Sequence, residues 1–483
     1  MGVLSNLEPK DVFRYFEEIC SIPHGSGNVG QISDYLVNFA QERGLFCIQD
    51  ALKNVIIIKE ASQGYEEEPA VILQGHMDMV AVKKPDCDID MKTQGLRVAV
   101  KGDKVYAEGT SLGGDDGIAV AYALALLNSD TIRHPRLEVV ITVDEEVGMD
   151  GAREIDLSML TGHRMLNLDS EEEGIFLTSC AGGARVNCHL PLTFQEKEGI
   201  IYEVSVEGLL GGHSGGEIHK ERGNSNCLMG RLLYRLAERL NLGILRISGG
   251  LADNAIPRQT TALVVVDAAD SARFAEILDT TSFKIAQELI TRDPEVKVAV
   301  KEAGKGKFSC VCEEKALNAC SYLFALPNGV QAMSPDMPGL VETSLNLGIL
   351  ELKEDGLHAE FSVRSSVESA KSALVGKLQA LTRLAGGSDE VTGDYPGWTY
   401  RVDSPLREKM VALYERMYGN RPKVEAIHAG LECGLLGSKI EDLDCVSFGP
   451  DMQDIHTTEE TLSISSTARV WDFLVKLLEE KDA

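Results

Sequence analysis

Residues 70–80 have the sequence AVILQGHMDMV, an apolar run that ends in a histidine and an aspartate two positions apart. The apolar part predicts a buried β-strand that ends at Gly75. In an extended chain, side chains at i and i+2 point the same way, so His76 and Asp78 should face one site. A histidine that binds a metal usually donates its other ring proton to a carboxylate, and this pair fits that arrangement. The alternative is a strand-end histidine hydrogen-bonded to its neighbour.

Two later predicted strands also end in acidic residues. The apolar runs at 138–143 and 165–168 are followed by 144–146 (DEE) and by Asp169. Together with a strand at 54–59 and the helices between them, these strands predict an α/β domain with a mostly parallel central sheet. Ligands of such sheets bind beyond the carboxyl ends of the strands, so the acidic residues should gather there.

Further candidates lie in loops. Asp115 follows a glycine-rich turn that enters a predicted helix at 116–127, and a helix N-terminus favours an ionised carboxylate. The alternative for Asp115 or Asp116 is a plain helix cap. His456 precedes the C-terminal helix in a polar loop, whereas His24, in a loop between two predicted amphipathic helices, should be solvated.

The length and the pattern predict two domains, one of them interrupted. A chain of 483 residues exceeds what one hydrophobic core usually serves. Glycine pairs at 182–183 and 386–387 mark changes in pattern. We therefore assign residues 1–184 and 389–483 to a catalytic domain and residues 185–388 to an inserted α+β domain. The inserted domain contains two comparable sets of helices and strands, which predicts two α+β halves.

Composition restricts partners and location. The chain has 75 acidic and 47 basic side chains, a formal charge of −28, which disfavours nucleic acid and anionic membrane surfaces as partners. Eleven scattered cysteines do not predict a disulfide framework and suit a reducing compartment. The sequence shows neither a signal peptide nor a stretch of transmembrane length. We expect a cytoplasmic protein that binds neither nucleic acid nor membrane.

The candidate site combines two imidazoles with several carboxylates and no cysteine. Such ligands suit a borderline-to-hard divalent ion, and there are enough of them for two ions that share one bridging carboxylate. The candidates are His76, Asp78, Asp115, Glu145, Glu146, Asp169 and His456.

Five motifs occur in the order typical of the M20 metallopeptidases, and the chain resembles that family over almost its whole length. The motifs are HMDMV, SLGGDDG, VDEEVG, NLDSEE and DIHTTEE. Within the family, the TSLGGDDG turn, the SCAGG exit and the enlarged second domain are most similar to the aminoacyl-histidine dipeptidases, also called peptidase D. The resemblance implies a co-catalytic di-metal peptidase domain with an inserted lid.

The resemblance implies two metal ions with a shared ligand. His76, Asp115 and Asp169 would hold one ion. Asp115, Glu146 and His456 would hold the other, so that Asp115 is the bridge. Zinc is the usual ion for such ligands, and manganese and cobalt are alternatives.

Two neighbouring carboxylates would have different roles. The resemblance implies that Asp78 orients His76 and that Glu145 is the general base, which takes a proton from the metal-activated water. Glu145 must stay free to accept that proton, whereas Glu146 is fixed on metal.

The resemblance also implies substrate contacts from His213, Asn254 and Arg364 in the lid, and a contact of the Gly430 backbone with the substrate terminus. A planar guanidinium suits bidentate capture of a free carboxylate, which would explain a preference for very short peptides. The alternatives are that His213 belongs to a glycine-rich turn and that Arg364 forms a surface ion pair. In many relatives the lid dimerises, so a homodimer through the lid is a further expectation.

The function that the resemblance implies is hydrolysis of unblocked dipeptides, with Xaa-His and carnosine-type β-alanyl-histidine as preferred substrates. A related hydrolase of N-acyl amino acids or tripeptides is the alternative within the same chemistry. A non-catalytic metal- or peptide-binding protein is the alternative outside it.

Overall fold

The computed structural model describes residues 2–482, which cluster into two compact units. The first unit comprises the residues up to Ser179, then Tyr400–Ala426, then the residues from Leu431 onward, and the second unit comprises Cys180–Thr399 and Ile427–Gly430. The boundaries thus differ from those predicted after residues 184 and 388. The reason is that the strands at both of these places are hydrogen-bonded within the sheet of the second unit.

The chain forms its helices and strands in three consecutive parts. The first part contains α1 (Lys10–Cys20), α2 (Gly30–Glu42), β1 (Phe46–Gln49), β2 (Val55–Lys59), β3 (Val71–His76), β4 (Val98–Lys101), β5 (Lys104–Ala107), α3 (Gly114–Asn128), β6 (Leu137–Thr142), α4 (Asp150–Glu154), β7 (Arg164–Asn167) and β8 (Ile175–Cys180). The middle part contains β9 (Gly182–Pro191), β10 (Gln195–Glu207), β11 (Gly212–His213), α5 (Ser225–Ala237), β12 (Gly243–Gly249), β13 (Ala255–Ile256), β14 (Thr260–Val266), α6 (Ser271–Leu289), β15 (Lys297–Cys310), α7 (Glu313–Ala325), β16 (Gly329–Met333), β17 (Val341–Lys353), β18 (Gly356–Ser365), α8 (Glu368–Leu384) and β19 (Ser388–Tyr395). The last part contains α9 (Pro405–Tyr418), β20 (Lys423–Ile427), α10 (Glu432–Gly437), β21 (Asp444–Ser447), β22 (Met452–Gln453), β23 (Thr461–Ser463) and α11 (Ile464–Glu479).

The first unit is built on an eight-stranded sheet with the order β1-β2-β6-β3-β7-β21-β8-β20. The four central strands β6, β3, β7 and β21 are parallel, whereas β1, β2 and β8 run antiparallel to a neighbour. The α/β class is confirmed, and the parallel part is limited to the centre. Strands β1 and β2 follow each other through a short turn, which only an antiparallel pair allows.

The central strands bring their ends to one edge of the sheet. In the parallel register, His76 pairs with Thr142 and Gln74 pairs with Asn167, so the loops after β3, β6 and β7 begin side by side. The N-terminus of α3 approaches the same edge. A Cβ atom on Gly75 would lie 2.5 Å from Asp116 Oδ2, so this approach requires a glycine at position 75.

A small four-stranded sheet, with the order β22-β23-β5-β4, supports another loop of the first unit. Strands β22 and β23 are antiparallel neighbours, and the loop between them carries His456. The backbone of His456 has a φ of +61°, an uncommon conformation for a residue with a side chain.

The second unit has its own nine-stranded antiparallel sheet, with the main order β15-β10-β14-β12-β17-β18-β9-β19 and with β16 paired to β17. The two predicted α+β halves share this sheet, because β12 joins β17 through two residue pairs. Buried apolar residues of α5 to α8 pack against the sheet and form a second hydrophobic core. A separate two-stranded ribbon pairs His213 with Ala255.

Across residues 2–482, none of the helices has the length and apolar character needed to cross a membrane.

Candidate metal centre

Asp115 lies between two histidines of the first unit. Its Oδ1 is 3.2 Å from His76 Nε2, and its Oδ2 is 3.1 Å from His456 Nε2. His76 and Asp115 are buried, whereas the His456 side chain is 44% exposed and faces solvent on one side. One carboxylate therefore contacts both imidazoles, each through a different oxygen.

Two more carboxylates complete the cluster, one beside each histidine. Asp169 Oδ1 is 3.8 Å from His76 Nε2, and Glu146 Oε1 is 3.0 Å from His456 Nε2. The structure thus brings together the five residues predicted as metal ligands, from segments that lie far apart in the sequence. We call His76, Asp115, Glu146, Asp169 and His456 the metal centre.

The donor atoms are close enough for metal binding. Asp115, Glu146 and His456 offer one atom each, and these atoms lie within 4.8 Å of one another. His76 and Asp169 form a second such group with Asp116. Asp116, which was predicted only as a possible helix cap, is therefore an additional candidate ligand.

Asp78 holds the loop of Glu145 rather than acting on His76 alone. Its Oδ1 accepts the backbone N–H of Glu145 at 3.1 Å, and its Oδ2 accepts the Ser26 hydroxyl at 2.8 Å. His76 Nδ1 is 3.0 Å from the Asp78 backbone oxygen and 3.5 Å from the Asp78 carboxylate. The nearest acceptor for the second ring nitrogen is therefore the backbone carbonyl.

Glu145 lies beside the metal centre, where burial governs its charge. One of its carboxylate oxygens is within 4.8 Å of donor atoms of His76 and Glu146. Burial raises the pKa of Glu145 and of Asp169 well above the ordinary value, and neighbouring carboxylates raise both further. Both pKa shifts favour the neutral, protonated form of these two carboxyl groups.

Neighbouring carboxylates raise the pKa of the histidines as well, which favours the charged form of each imidazole. Hydrogen bonds to Asp115 and Glu146 raise the pKa of His456 to about 10. Burial alone would lower the pKa of His76, but its contacts with Asp115 and Asp78 raise it overall. The imidazoles are therefore the positive groups of an otherwise anionic site.

Two buried acids that support the centre were missed from the sequence. Glu460 accepts the backbone N–H groups of Leu112, Gly113 and Gly114 at 2.8, 3.1 and 2.8 Å, and so fixes the turn that carries Asp115. It ends the DIHTTEE motif, four residues after His456, but the motif does not indicate that this glutamate binds a loop 346 positions away.

The second missed acid is Glu432, at the start of α10. Its Oε2 accepts hydrogen bonds from Gln74 Nε2 and Thr142 Oγ1, both at 2.6 Å, and burial raises its pKa to about 7. Its partners lie on β3 and β6, which end at the metal centre. The only sequence signal was its place two residues after Gly430, in residues 428–434 (HAGLECG).

Three of the predicted substrate residues lie close together in the second unit. His213 and Asn254 stand on adjacent segments, because the Ser214 N–H donates to the Asn254 carbonyl at 2.8 Å. Arg364, on β18, donates to the Tyr395 hydroxyl at 3.4 Å, and no described carboxylate lies within ion-pair distance of it. Its Nε is buried and has no hydrogen-bond partner among residues 2–482. Arg364 therefore does not form the surface ion pair that was its alternative.

His428 is a further member of this group that the sequence analysis missed. Its Nε2 is 2.7 Å from Ser344 Oγ, and Ser344 is the cross-strand partner of Arg364. Burial, and then the charge of Arg364, lowers the pKa of His428 to about 3. The same two causes lower the pKa of His213. We call Arg364, His213 and His428 the arginine cluster.

Gly430 belongs to the short segment that carries His428 in the second unit. This segment is tied to the start of the unit, because the Ala181 N–H donates to the Ala429 carbonyl at 3.0 Å. A Cβ atom on Gly215 would lie 2.6 Å from the His428 carbonyl oxygen, so the GGHSGG turn packs directly on the segment. The role of Gly430 itself stays a prediction.

Known proteins resemble this chain along its whole length. The sequence profile of peptidase family M20/M25/M40 matches residues 72–480. A protein of Escherichia coli (strain K12), cytosol non-specific dipeptidase, is 36% identical over 485 residues, which cover 99% of each chain. The crystal structure of aminoacylhistidine dipeptidase from Vibrio alginolyticus has a TM-score of 0.94 and 36% identity over 100% of this chain and 99% of that chain. Aminopeptidase PepT from Bacillus cereus shares the fold, with a TM-score of 0.55 and 15% identity over 98% of each chain.

Proposed function

Because the chain belongs to peptidase family M20/M25/M40 and is a metallopeptidase with dipeptidase relatives, we propose that it hydrolyses unblocked dipeptides with two metal ions in the metal centre. The observation that carries the proposal is the position of Asp115, whose two oxygens contact His76 and His456 separately. A carboxylate placed in this way suits a bridge between two ions.

The residues of the centre fit a pair of cations. Two imidazoles and three carboxylates converge there, and no described lysine or arginine forms an ion pair with Asp115, Glu146 or Asp169. Asp115, Glu146 and His456 would hold one ion, and Asp115 with His76 and Asp169 would hold the other. When bound, the ions supply an activated water and stabilise negative charge on the carbonyl oxygen. Zinc is the expected ion, with manganese and cobalt as alternatives.

Glu145 is the proposed general base. Its carboxylate takes a proton from the attacking water and delivers it to the leaving amine. Asp78 positions Glu145 by accepting its backbone N–H, which holds the loop beside His76. Glu432 and Glu460 contribute by fixing the strands and the turn that carry the ligands.

The arginine cluster, with Asn254 and Gly430, is the proposed substrate-binding part of the second unit. Arg364 would bind the free carboxylate of a dipeptide, because its buried Nε has no hydrogen-bond partner among residues 2–482. His213 and Asn254 would contact the substrate carbonyl, and the backbone of Gly430 would contact the substrate terminus. A preference for Xaa-His, including β-alanyl-histidine, is supported by the likeness to the Vibrio enzyme, whereas the name of the Escherichia coli relative supports a broader range.

A panel of substrates tests the proposal. The metal-loaded protein is assayed with Ala-His, β-alanyl-histidine, acetyl-histidine and a tripeptide. We expect Ala-His to be cleaved fastest, β-alanyl-histidine to be cleaved, and the other two to be at least about tenfold slower, since each lacks a free amine or a free carboxylate at the required distance. Fastest cleavage of acetyl-histidine or the tripeptide would favour the alternative hydrolases. Cleavage of none by protein that holds two ions would favour a binding protein.

Location and assembly are further parts of the proposal. A cytoplasmic location is supported by the name of the Escherichia coli relative. A homodimer through the second unit stays a prediction, which size-exclusion chromatography with light scattering tests directly.

A further inference from the structure

Two histidines of the second unit face each other across neighbouring strands, and neither belongs to the metal centre or the arginine cluster. His189 on β9 pairs directly with His358 on the antiparallel strand β18. Their ring centroids are 4.6 Å apart, with an angle of 29° between the ring planes. Directly opposed residues of an antiparallel pair point to the same face of the sheet, so both imidazoles open on one side.

A carboxylate from the next turn lies against both rings. Asp355, between β17 and β18, has its Oδ1 2.9 Å from His358 Nε2 and its Oδ2 3.7 Å from His189 Nε2. Its backbone oxygen is 3.2 Å from His189 Nε2 as well. The Nε2 atoms of both histidines therefore point at one aspartate, which forms no ion pair with a described lysine or arginine.

The backbone of the turn at Gly356 lies close to β9, which places Asp355 beside His189. Gly356 has a φ of +143°, and a Cβ atom there would lie 2.2 Å from the Leu190 carbonyl oxygen and 3.0 Å from His189 Nε2. A side chain at position 356 would push the turn away from β9 and separate Asp355 from His189. The glycine thus keeps the three residues together.

We propose that His189, His358 and Asp355 bind a divalent cation of borderline softness, with Zn²⁺ as the preferred ion. The three residues offer one donor atom each within 4.8 Å of one another, a spacing that small side-chain rotations reduce to what an ion bound at about 2.0–2.2 Å requires. The side chains are 32%, 27% and 63% exposed, so an ion can enter from solvent and keep water in its remaining positions.

The ligand set also selects among ions. Two imidazoles favour Zn²⁺, Ni²⁺ and Cu²⁺, whereas Mg²⁺ and Ca²⁺ prefer sites made of oxygen ligands alone. A bound ion would join β9, β18 and the turn after β17, and so stabilise this end of the sheet. The competing interpretation is a simple ion pair between Asp355 and a protonated His358, which predicts no metal dependence.

The test counts ions in matched variants. Full-length protein, His189→Gln, His358→Gln and the control His163→Gln are dialysed against the same micromolar free Zn²⁺ with excess Mg²⁺, and the zinc per chain is measured. His163 is an exposed histidine of the first unit, and its Nδ1 lies 2.9 Å from the Glu441 carbonyl oxygen. We expect each variant of the pair to bind one zinc fewer than the wild type and the control, with dipeptide hydrolysis unchanged.

Equal zinc content in all four proteins would overturn the proposal. A loss of zinc in His163→Gln equal to the loss in the two variants of the pair would overturn it as well. The difference between proteins is the readout, so the result does not depend on how many ions the metal centre holds. A second measurement is an anomalous difference map at the zinc edge from crystals of the wild type. A peak between the two Nε2 atoms supports the site. A map that shows fully occupied zinc elsewhere but no peak between these atoms contradicts it.

Discussion

The two units shift the pKa of a histidine side chain in opposite directions. In the metal centre, contacts with carboxylates raise the pKa of His456 to about 10, whereas in the arginine cluster burial and then Arg364 lower the pKa of His428 to about 3. Burial lowers the pKa of His428 and would lower that of the equally buried His76, but the carboxylates beside His76 raise its pKa overall, whereas Arg364 adds to the effect of burial on His428. At equal burial, the charges next to the ring decide the direction of the pKa shift.

The difference matches the ligands that each site is proposed to take. An anionic centre with two imidazoles attracts metal cations, which take the place of the protons. A cluster around one unpaired guanidinium keeps its imidazoles neutral, so that they can make directional hydrogen bonds beside a substrate carboxylate without adding a competing charge. The first unit is thus suited to the chemistry, and the second to recognition of a small anion.

Removing the carboxylate that the two histidines share should have the largest effect on metal binding and activity. In Asp115→Asn, the two histidines lose their common partner, and we expect the loss of bound metal together with a fall in kcat/KM of about 10³-fold or more, or about 4 kcal/mol. Metal analysis and steady-state kinetics check this. Asp150→Asn, at an exposed aspartate of α4, is the control and should be unaffected. A variant that keeps both ions and full activity would exclude Asp115 as the bridge.

The next effect separates metal binding from proton transfer within the same centre. Glu145→Gln should keep its metal but lose about 10²- to 10⁴-fold in kcat, because an amide cannot accept the proton from the attacking water. The metal content of the purified variant and its kcat for Ala-His are the two measurements. Unchanged turnover would remove Glu145 from the mechanism, and loss of metal would instead make it a ligand.

A smaller effect is expected from removing the positive charge of the arginine cluster. Arg364→Met should raise KM for dipeptides about 10- to 100-fold, since a charge-assisted hydrogen bond to the substrate carboxylate contributes about 1.5–3 kcal/mol. The same variant should differ little from the wild type with a dipeptide amide, which lacks that carboxylate. Arg383→Met, at an exposed arginine paired with Asp389, is the matched control. An equal effect on acid and amide would show that Arg364 does not bind the carboxylate.

The smallest effect concerns stability as a function of pH. The folded-state pKa of His428 is about 3, below the ordinary value of 6.5, so the folded protein binds fewer protons than the unfolded chain between these values. The contribution of His428 to the free energy of unfolding is therefore fully present above pH 6.5 and is lost as the pH falls toward 3. Between pH 6.5 and 5 the loss from this group is at most about 2 kcal/mol.

His428→Gln should remove this part of the pH dependence, whatever it does to the stability at neutral pH. Denaturant unfolding of wild type and variant at several pH values gives the two slopes. His219→Gln, at an exposed histidine of the same unit, should keep the wild-type slope. Identical slopes for all three proteins would show that His428 is not held neutral in the folded state.

Much of the metal centre was predictable because each ligand stands in a local pattern. Buried central strands have nearly continuous apolar sequences, so His76 and Asp169 stood out where those runs stop. The glycine-rich turn before α3 marked the region of Asp115 in the same way. The resemblance to a known family then assigned the roles, which spacing alone could not do.

Other features depended on distant contacts and left no local trace. His24 was expected in solvent, but its ring is only 2% exposed, with Nδ1 2.6 Å from the Ile22 carbonyl oxygen. His428, in the loop before α10, belongs to the second unit and Glu432, at the start of α10, belongs to the first, although the two residues are four positions apart. The pairing of His189 with His358 depends on the register of two strands that are far apart in the chain.

The sequence by itself determined the element types, the α/β class and the candidate residues of the metal centre, because apolar periodicity and turn residues act over a few positions. Only the tertiary structure decided which side chains meet: that Asp115 reaches both histidines, that Glu460 holds its turn, and that Arg364 lies beside His428. These side-chain contacts depend on the strand order, the register and the packing of the entire chain. All three are set by the sum of many interactions rather than by any one segment.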